Sequence, residues 1–418
     1  MGRNNPIIKG MLQTERDGVI GSKMKINAAT GSKQFNDKSD KLWQEEMVDQ
    51  PCDITGRFNI NQYGRKAYLS YRRDGDFQTV KHIDSKGKLE LEPVEGQQVG
   101  TPGGVKDGEG FTVTNGIAFS KKTRKIIGYF IGTPDKWGYI TGNNVRRITA
   151  DRVQSMMNAD MFSYSRGEPV LSSSIKYIDK VDSYIDAELT AAMVNACFSM
   201  AITSNTDEGG PDGYTGGVSS DGNDLFGNRL EKINPGQIMY LKSGETAQGV
   251  GQMSPGSMFD VFTLRILSFI GAPMCMPLML ITKDFAGATF MNARIAYQKV
   301  QELWMTEQST VVNPFIQQIW KWKIDQWIDQ GKLKDRDDKY KTLFIPNRWP
   351  YVDPFKEAKA DEQQILNRTT SRGEICIRQG KEFTDVNDAL IKEDAAIPKP
   401  EPETVEEPKN EPVPPKNK

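Results

Sequence analysis

The sequence has little of what catalysis normally uses. Only one histidine occurs among 418 residues, His82, in the polar, loop-like stretch VKHIDSKGK. Histidine is the commonest general base and metal ligand, and a single one beside a Gly-Lys turn reads as a solvated loop residue. The four cysteines (Cys52, Cys197, Cys275, Cys376) form no C-x-x-C pair, which argues against a zinc site or a disulfide scaffold and fits a reducing compartment. No G-x-x-x-x-G-K-[ST], G-x-S-x-G or helix-opening G-x-G-x-x-G is present, so the usual nucleotide and acyl-transfer sites are missing. No charge of one sign dominates. Lys plus Arg (54) nearly cancels Asp plus Glu (55), so contact with nucleic acid is expected to be loose or confined to a few positions.

Long apolar runs are also scarce. The opening MGRNNPIIKG has no signal-peptide core. Between Arg265 and Lys283 no residue is charged, but Gly271, Pro273 and Pro277 interrupt the run. Lipid could not replace the helix hydrogen bonds that two prolines break, so the segment reads as buried protein interior. Two carboxylate groups remain. Asp207, Asp212, Asp221 and Asp224 lie in an acidic, Gly-rich stretch whose spacing does not fit a calcium loop, and a mobile surface loop is the simpler reading. Asp182 and Asp186, with Lys176 and Lys180 at neighbouring spacing, read as a solvated helix face. The chain reads as a non-enzyme with no cofactor and no metal.

What is present is an α+β pattern. Helical sequence is expected from Ser39 to Val48, then a helix that turns at Asp74-Gly75 into a strand. From Lys81 to about Asp151 short β-prone runs alternate with Gly and Pro, and GFTVTNGIAFSKKTRKIIGYFIG reads as strand, tight turn, strand. From Ser172 the period becomes helical: Ile175, Ile178, Val181, Ile185, Leu189, Ala192 and Ala196 follow i+3/i+4 spacing. With Ala187 and Ala191 beside them, this helix suits either an ordinary core position or packing between subunits. INPGQIMYLKSGE suggests a strand after a Pro-Gly turn. SMFDVFTLRILSFIGAPM is apolar nearly all round and should be deeply buried. Asn292 to Asp329 reads as helix with a break near Asn313-Pro314, and Trp304, Trp320, Trp327, Ile316, Ile319 and Ile324 as its core anchors. Pro354 onward suggests a helix after a Pro-punctuated turn, and another follows Thr384. From Pro398 the chain holds seven of its 22 prolines and almost no apolar residue, the composition of a disordered tail.

Five segments, taken in order, resemble one family, the lambda-type portal proteins of tailed bacteriophages. They are RNNPIIKGMLQTERDGVIGS, NGIAFSKKTRKIIGYFIG, the block from ITADRVQ through the Arg166-Gly167-Glu168-Pro169 turn to SYIDAELTAAM, INPGQIMYLKSGE, and MPLMLITKDFAGATFMNAR. The resemblance spans roughly residues 3–333. The sequence departs from the family at Phe290-Met291-Asn292-Ala293-Arg294 and in the Met156/Met157 region, where the family's histidine before its R-G-x-P turn is replaced.

That resemblance implies a portal fold with wing, helical stem, α/β clip and C-terminal helical crown, assembling into a ring of usually twelve subunits at one capsid vertex. Its segments would be a wing over 1–110, apparently shortened with part missing or encoded elsewhere, and a clip with adjoining strands over 111–166. A stem helix over 167–200, wing strands and loop over 201–256, and a kinked helix with tunnel loop over 257–300 would follow. Wing or crown helices over 301–397 and the tail over 398–418 would complete the chain. Lys283, Asp284, Phe285, Gly287, Thr289 and Asn292 would form the tunnel loop facing the DNA channel, and Ile178, Val181, Ile185, Leu189 and Ala192 a subunit-packing helix face. Implied partners are other copies of the chain, double-stranded DNA passing without sequence specificity, the terminase large subunit, a major capsid or scaffold protein and a head–tail connector, with no membrane. The implied location is the virion, after assembly in the host bacterial cytoplasm. Another structural head–tail connector, or a metal-dependent nuclease built on the Asp207–Asp224 carboxylates, remain as alternatives.

Overall fold

The computed structural model describes residues 4–101, 108, 110–134, 140–197, 201–204, 245–248, 258–350 and 353–396. The chain opens on helix α1 (Pro6–Val19). Asn5 caps it, its side chain accepting from the Ile8 amide at 3.0 Å, and Pro6 takes a first-turn position where no amide hydrogen is needed. Strand β1 (Lys25–Ala28) leads to α2 (Lys33–Trp43), which Ser32 caps and which widens into a π-helical turn over Gln44–Val48. This helix begins six residues before the expected Ser39, because the cap lies upstream of the apolar pattern. Helix α3 (Ile60–Asp74) carries a capping box of Asn59 and Gln62. It ends where Gly75 adopts φ 94°, a conformation that favours glycine, and strand β2 (Asp76–Ile83) follows as expected. His82 lies on that strand opposite Glu90, not in a loop.

Strands β3 (Leu89–Glu95), β4 (Phe111–Thr114), β5 (Ile117–Ser120), β6 (Ile126–Pro134), β7 (Ile140–Thr149) and β8 (Val153–Met157) make two antiparallel sheets, ordered β3-β2-β8 and β4-β5-β6-β7. The stretch expected to hold two strands holds three. Asn115 (φ 51°) and Gly116 (φ 81°) form one hairpin turn, and the chain reverses again before Arg124 (φ 57°). The two sheets share a core of Val80, Val94 and Val99 with Ile117, Tyr129, Ile131 and Ile148.

The Arg166–Pro169 turn then fastens this unit to α3. Arg166 donates to Asp76 and to the carbonyls of Val99 (2.6 Å) and Gly96 (2.5 Å). A side chain at Gly167 would collide with the Gly75 backbone. This motif is a clamp, and the buried Asp76 is its anchor.

Helix α4 (Ile175–Cys197) follows, then the short antiparallel strands β9 (Ala201–Ser204) and β10 (Glu245–Gln248). The acidic Gly-rich stretch with Asp207, Asp212, Asp221 and Asp224, and all of INPGQIMYLKSGE but Glu245, lie outside the described residues, as do the Cys197 side chain and the tail from Pro398. Helix α5 (Phe259–Gly271), the short α6 (Leu278–Thr282) and α7 (Phe290–Glu307) come next, and α7 passes through a π-helical turn into α8 (Asn313–Asp329). Pro314 sits in the first turn of α8, so the expected break is a tolerated restart. Strand β11 (Thr342–Ile345) returns to pair with β1, and α9 (Pro354–Leu366), α10 (Arg372–Arg378) and α11 (Phe383–Ala396) close the described chain. The sequence reading missed α10. No described helix is long and apolar enough to cross a membrane.

The main core joins the first third of the chain to α7 and α8. Trp304, Ile316, Ile319, Trp320, Ile324 and Trp327 are buried together with Trp43, Ile60, Tyr68 and Leu91, and Trp320 lies 5.0 Å from Trp43 and 6.4 Å from Trp327 between ring centres. All six expected anchors are in place. Gly18 of α1 lies against the Trp304 ring with no room for a Cβ.

A buried ionic cluster crosses the same interface. Arg72 of α3 donates to both carboxylate oxygens of Glu15, at 3.1 and 2.7 Å, and lies 3.4 Å from Glu307. Tyr68 and Tyr71 reach Glu307 at 3.5 Å. Burial pushes the Glu15 carboxyl up to about 7, Arg72 opposing the rise. A carboxyl raised on folding gives stability that is complete below its unfolded value near 4.5 and fades as pH climbs through 7. Asp40, pushed up to about 7 by its own burial, adds a slope of the same sign. The expected result is that Glu15→Gln removes roughly 2–3 kcal/mol of the stability that wild type loses between pH 4.5 and 8. Urea unfolding of both proteins at the two pH values checks it, the Asp40 contribution cancelling in the difference.

Candidate functional site: a helical hairpin and its loop

Helices α4 and α5 pack antiparallel. Tyr177, near the start of α4, meets Phe269 near the end of α5 at 5.8 Å, while Tyr184 stacks on Phe259 at 5.5 Å and edges Phe262 at 5.2 Å. The chain leaves the hairpin at Cys197 and returns at Met258, with the β9–β10 pair between.

One side of the hairpin is used within the chain. Ile178 and Val181 are buried with Ile8, Met11 and Leu12 of α1 and Leu267 and Ile270 of α5, and Ile185 packs partly on the same group. Asp182, expected on a solvated face, accepts from the Asn5 amide at 2.8 and 3.0 Å and so ties α4 to the α1 cap. Of the five residues expected to pack between subunits, Ile178 and Val181 are therefore occupied internally. Leu189 is 60% exposed and Ala192 half-buried.

Other apolar side chains of the hairpin, on α4 farther along the same face, are bare. Met193 is exposed beside Leu189, and α5 exposes Val261 (60%), Phe262, Leu264 and Phe269. The expectation that α5 is deeply buried is thus corrected: its all-round apolarity includes side chains that the described residues leave uncovered. More than half of the large exposed apolar side chains among the described residues lie between Ile175 and Met305, a concentration that marks interaction surfaces.

The link from α5 to α7 is built from tight turns. A 3₁₀ turn over Ala272–Met274 ends at Cys275 (φ 47°), and α6 ends at Lys283 (φ 58°). Both are non-glycine residues in the left-handed region, which costs each about 1 kcal/mol. The loop 283–289 is exposed except for the half-buried Ala288. Asp284 does not pair with Lys283; its carboxylate accepts from the Ala286 amide at 2.9 Å and holds the turn. Thr289 caps α7 by accepting from the Asn292 amide at 3.3 Å, so these two belong to the helix start. Gly287 has open space around it and no left-handed backbone, so Lys283 is where the conformation is demanding. Phe285 is exposed and, with Phe290, Met279 and Tyr297, borders an apolar cavity of about 220 Å³.

No group of acidic, histidine or cysteine side chains among the described residues could hold a metal ion.

The family model for phage portal proteins of the lambda family matches residues 1–308. The chain belongs to the lambda family of phage portal proteins. A probable portal protein of Halomonas phage phiHAP-1 is 22% identical over 355 residues, covering 82% of this chain and 67% of that protein. Among solved structures, a chain from the neck of an empty GTA particle, computed with C6 symmetry, is similar with a TM-score of 0.49 at 14% identity over 90% of each chain. An HK97 family phage portal protein from Corynebacterium diphtheriae gives 0.36 at 9% identity, covering 85% of this chain and 95% of that one. The portal assignment takes in the hairpin and the loop, because the matched segment ends only at Gln308, beyond both. The portal family is a structural one, and the α+β architecture is that of the chain described above.

Proposed function

We propose that copies of this portal protein form a ring at a capsid vertex and that its central channel passes double-stranded DNA during packaging and ejection. The carrying observation is the set of exposed apolar side chains on the α4–α5 hairpin, which the described residues of one chain leave uncovered. In this reading both helices form the stem, and Leu189, Met193, Val261 and Leu264 meet the neighbouring copy. Ile178 and Val181 hold the stem to the body of their own subunit.

The β9–β10 pair, which lies in sequence between the two helices, would belong to the end of the stem. The four-stranded sheet expected within the clip shares its core with β2 and β3, so we assign it to the body instead. Lys283, Asp284, Phe285 and Gly287 would face the channel, with Thr289 and Asn292 fixing the loop at the base of α7. Lys283 and Asp284 nearly cancel in charge, and a conduit needs that, since each neutralised phosphate would add affinity that slows sliding. A terminase motor, a capsid or scaffold protein and a head–tail connector would dock on the ring's outer surfaces, in the virion and during its assembly in the host cytoplasm.

Light scattering and electron microscopy of one purified fraction test this. Rings of many copies around an open channel are expected. A small closed dimer that cuts DNA in magnesium would overturn the reading.

A further inference from the structure

The C-terminal helices wall a polar cavity of about 420 Å³ that the portal reading does not use. It lies between the chain leaving β11, the end of α9, the turn after it, and α10. Two arginines face it, Arg348 and Arg378. Arg378 is well supplied with partners: it donates to Gln364 Oε1 at 3.1 Å and Thr370 Oγ1 at 3.3 Å, and lies 3.6 Å from Asp361.

Arg348 is not. It is half-buried, its Nε donates to the Ile377 carbonyl at 3.3 Å, and its two terminal nitrogens meet no acceptor among the described residues. Burial, and then the nearby Arg378 charge, hold its guanidinium below the ordinary arginine value. The carboxylate that borders the cavity, Glu374, already has partners. Its Oε2 accepts from the Thr370 hydroxyl at 2.6 Å and the Ser371 amide at 3.2 Å in the α10 capping box.

A partly desolvated cation with two free donors, next to a second cation, is unfavourable unless an anion joins them. The guanidinium fork matches the paired oxygens of a phosphate, and charge-assisted bonds of that kind are the strong ones. We propose that this cavity binds a phosphate group, with Arg348 and Arg378 holding its oxygens from two sides. Glu374 and Asp361 offset the formal charge of the two arginines, so binding is modest and sensitive to salt. The group could be free phosphate or a phosphodiester of a DNA backbone, and the two share this chemistry. The assignment does not depend on the ring.

The test titrates the full chain with inorganic phosphate by calorimetry, and a short labelled duplex by anisotropy, in wild type and in Arg348→Gln and Arg378→Gln. Phosphate should bind wild type and weaken at least tenfold in Arg348→Gln. That variant's melting temperature without phosphate should hold or rise, since an uncompensated cation has been removed, which separates lost binding from lost folding. Duplex affinity that falls with Arg348→Gln identifies the backbone as the source. A duplex that is indifferent to the change, while phosphate binding is lost, identifies the free ion. The proposal is overturned if wild type binds no phosphate, if Arg348→Gln binds it equally well, or if acetate displaces it at the same concentration.

Discussion

Glu46→Ala is expected to destabilise the folded chain by about 3–5 kcal/mol, the range found when one partner of a buried ion pair is removed. Lys323 of α8 is completely buried, and its ammonium donates to Glu46 Oε2 at 2.8 Å and Gln326 Oε1 at 3.0 Å. The same carboxylate accepts from the Trp327 indole at 3.1 Å and from Lys332 at 2.7 Å. Glu46 is placed there by the π-helical turn Gln44–Val48, which extends α2 over the tryptophan core. Without it, a cation that burial already holds below its normal value would have to lose its proton or drag α8 toward solvent.

The Lys323→Met change in the Glu46→Ala background should restore most of the loss, because an apolar side chain of similar length suits the site. The hydrogen bonds of Glu46 hold its carboxyl down to about 2, against desolvation. Its contribution is therefore complete above its unfolded value near 4.5 and fades as pH falls toward 2. Urea unfolding followed by tryptophan fluorescence at pH 7 and pH 3 should show a smaller gap between wild type and Glu46→Ala at the lower pH. An equal gap at both would mean that the carboxylate matters by packing alone.

Where each apolar residue repeats locally and packs within its own chain, the sequence is a sound guide. The Trp and Ile positions of α7 and α8 read correctly as core anchors, and the Asp74-Gly75 turn lies where only glycine is comfortable. The family was legible too, because its motifs carry local backbone demands: Pro6 opens α1, and Gly167 abuts Gly75.

Errors arose where a property depends on what packs from outside. Helix α5 is apolar on all sides, and sequence alone cannot say whether a face meets its own chain or another copy. Ile178 and Leu189 lie on one repeat, yet α1 covers the first and reaches no further. The Glu46–Lys323 pair joins residues 277 apart in sequence, so no spacing rule could have found it. In the loop the left-handed conformation falls at Lys283 and not at Gly287, set by where α6 stops.

Leu189→Asp and Val261→Asp are each expected to abolish ring formation while leaving the subunit folded. Both side chains are 60% exposed in the single chain, so little internal packing is lost, and surface changes of this kind usually stay within about 0.5 kcal/mol of wild-type stability. At a subunit contact the balance reverses. Each interface would lose an apolar side chain, at roughly 25 cal/mol per Å², and would bury a carboxylate without a partner, a penalty of roughly several kcal/mol. A ring repeats the contact at every subunit, so the penalty recurs until closure fails. Circular dichroism should match wild type, while light scattering should report monomers in place of rings. Leu189→Met, which keeps the apolar surface, should still assemble. Rings that persist in both aspartate variants would place the subunit contact elsewhere and leave the exposed apolar residues of the hairpin to another partner.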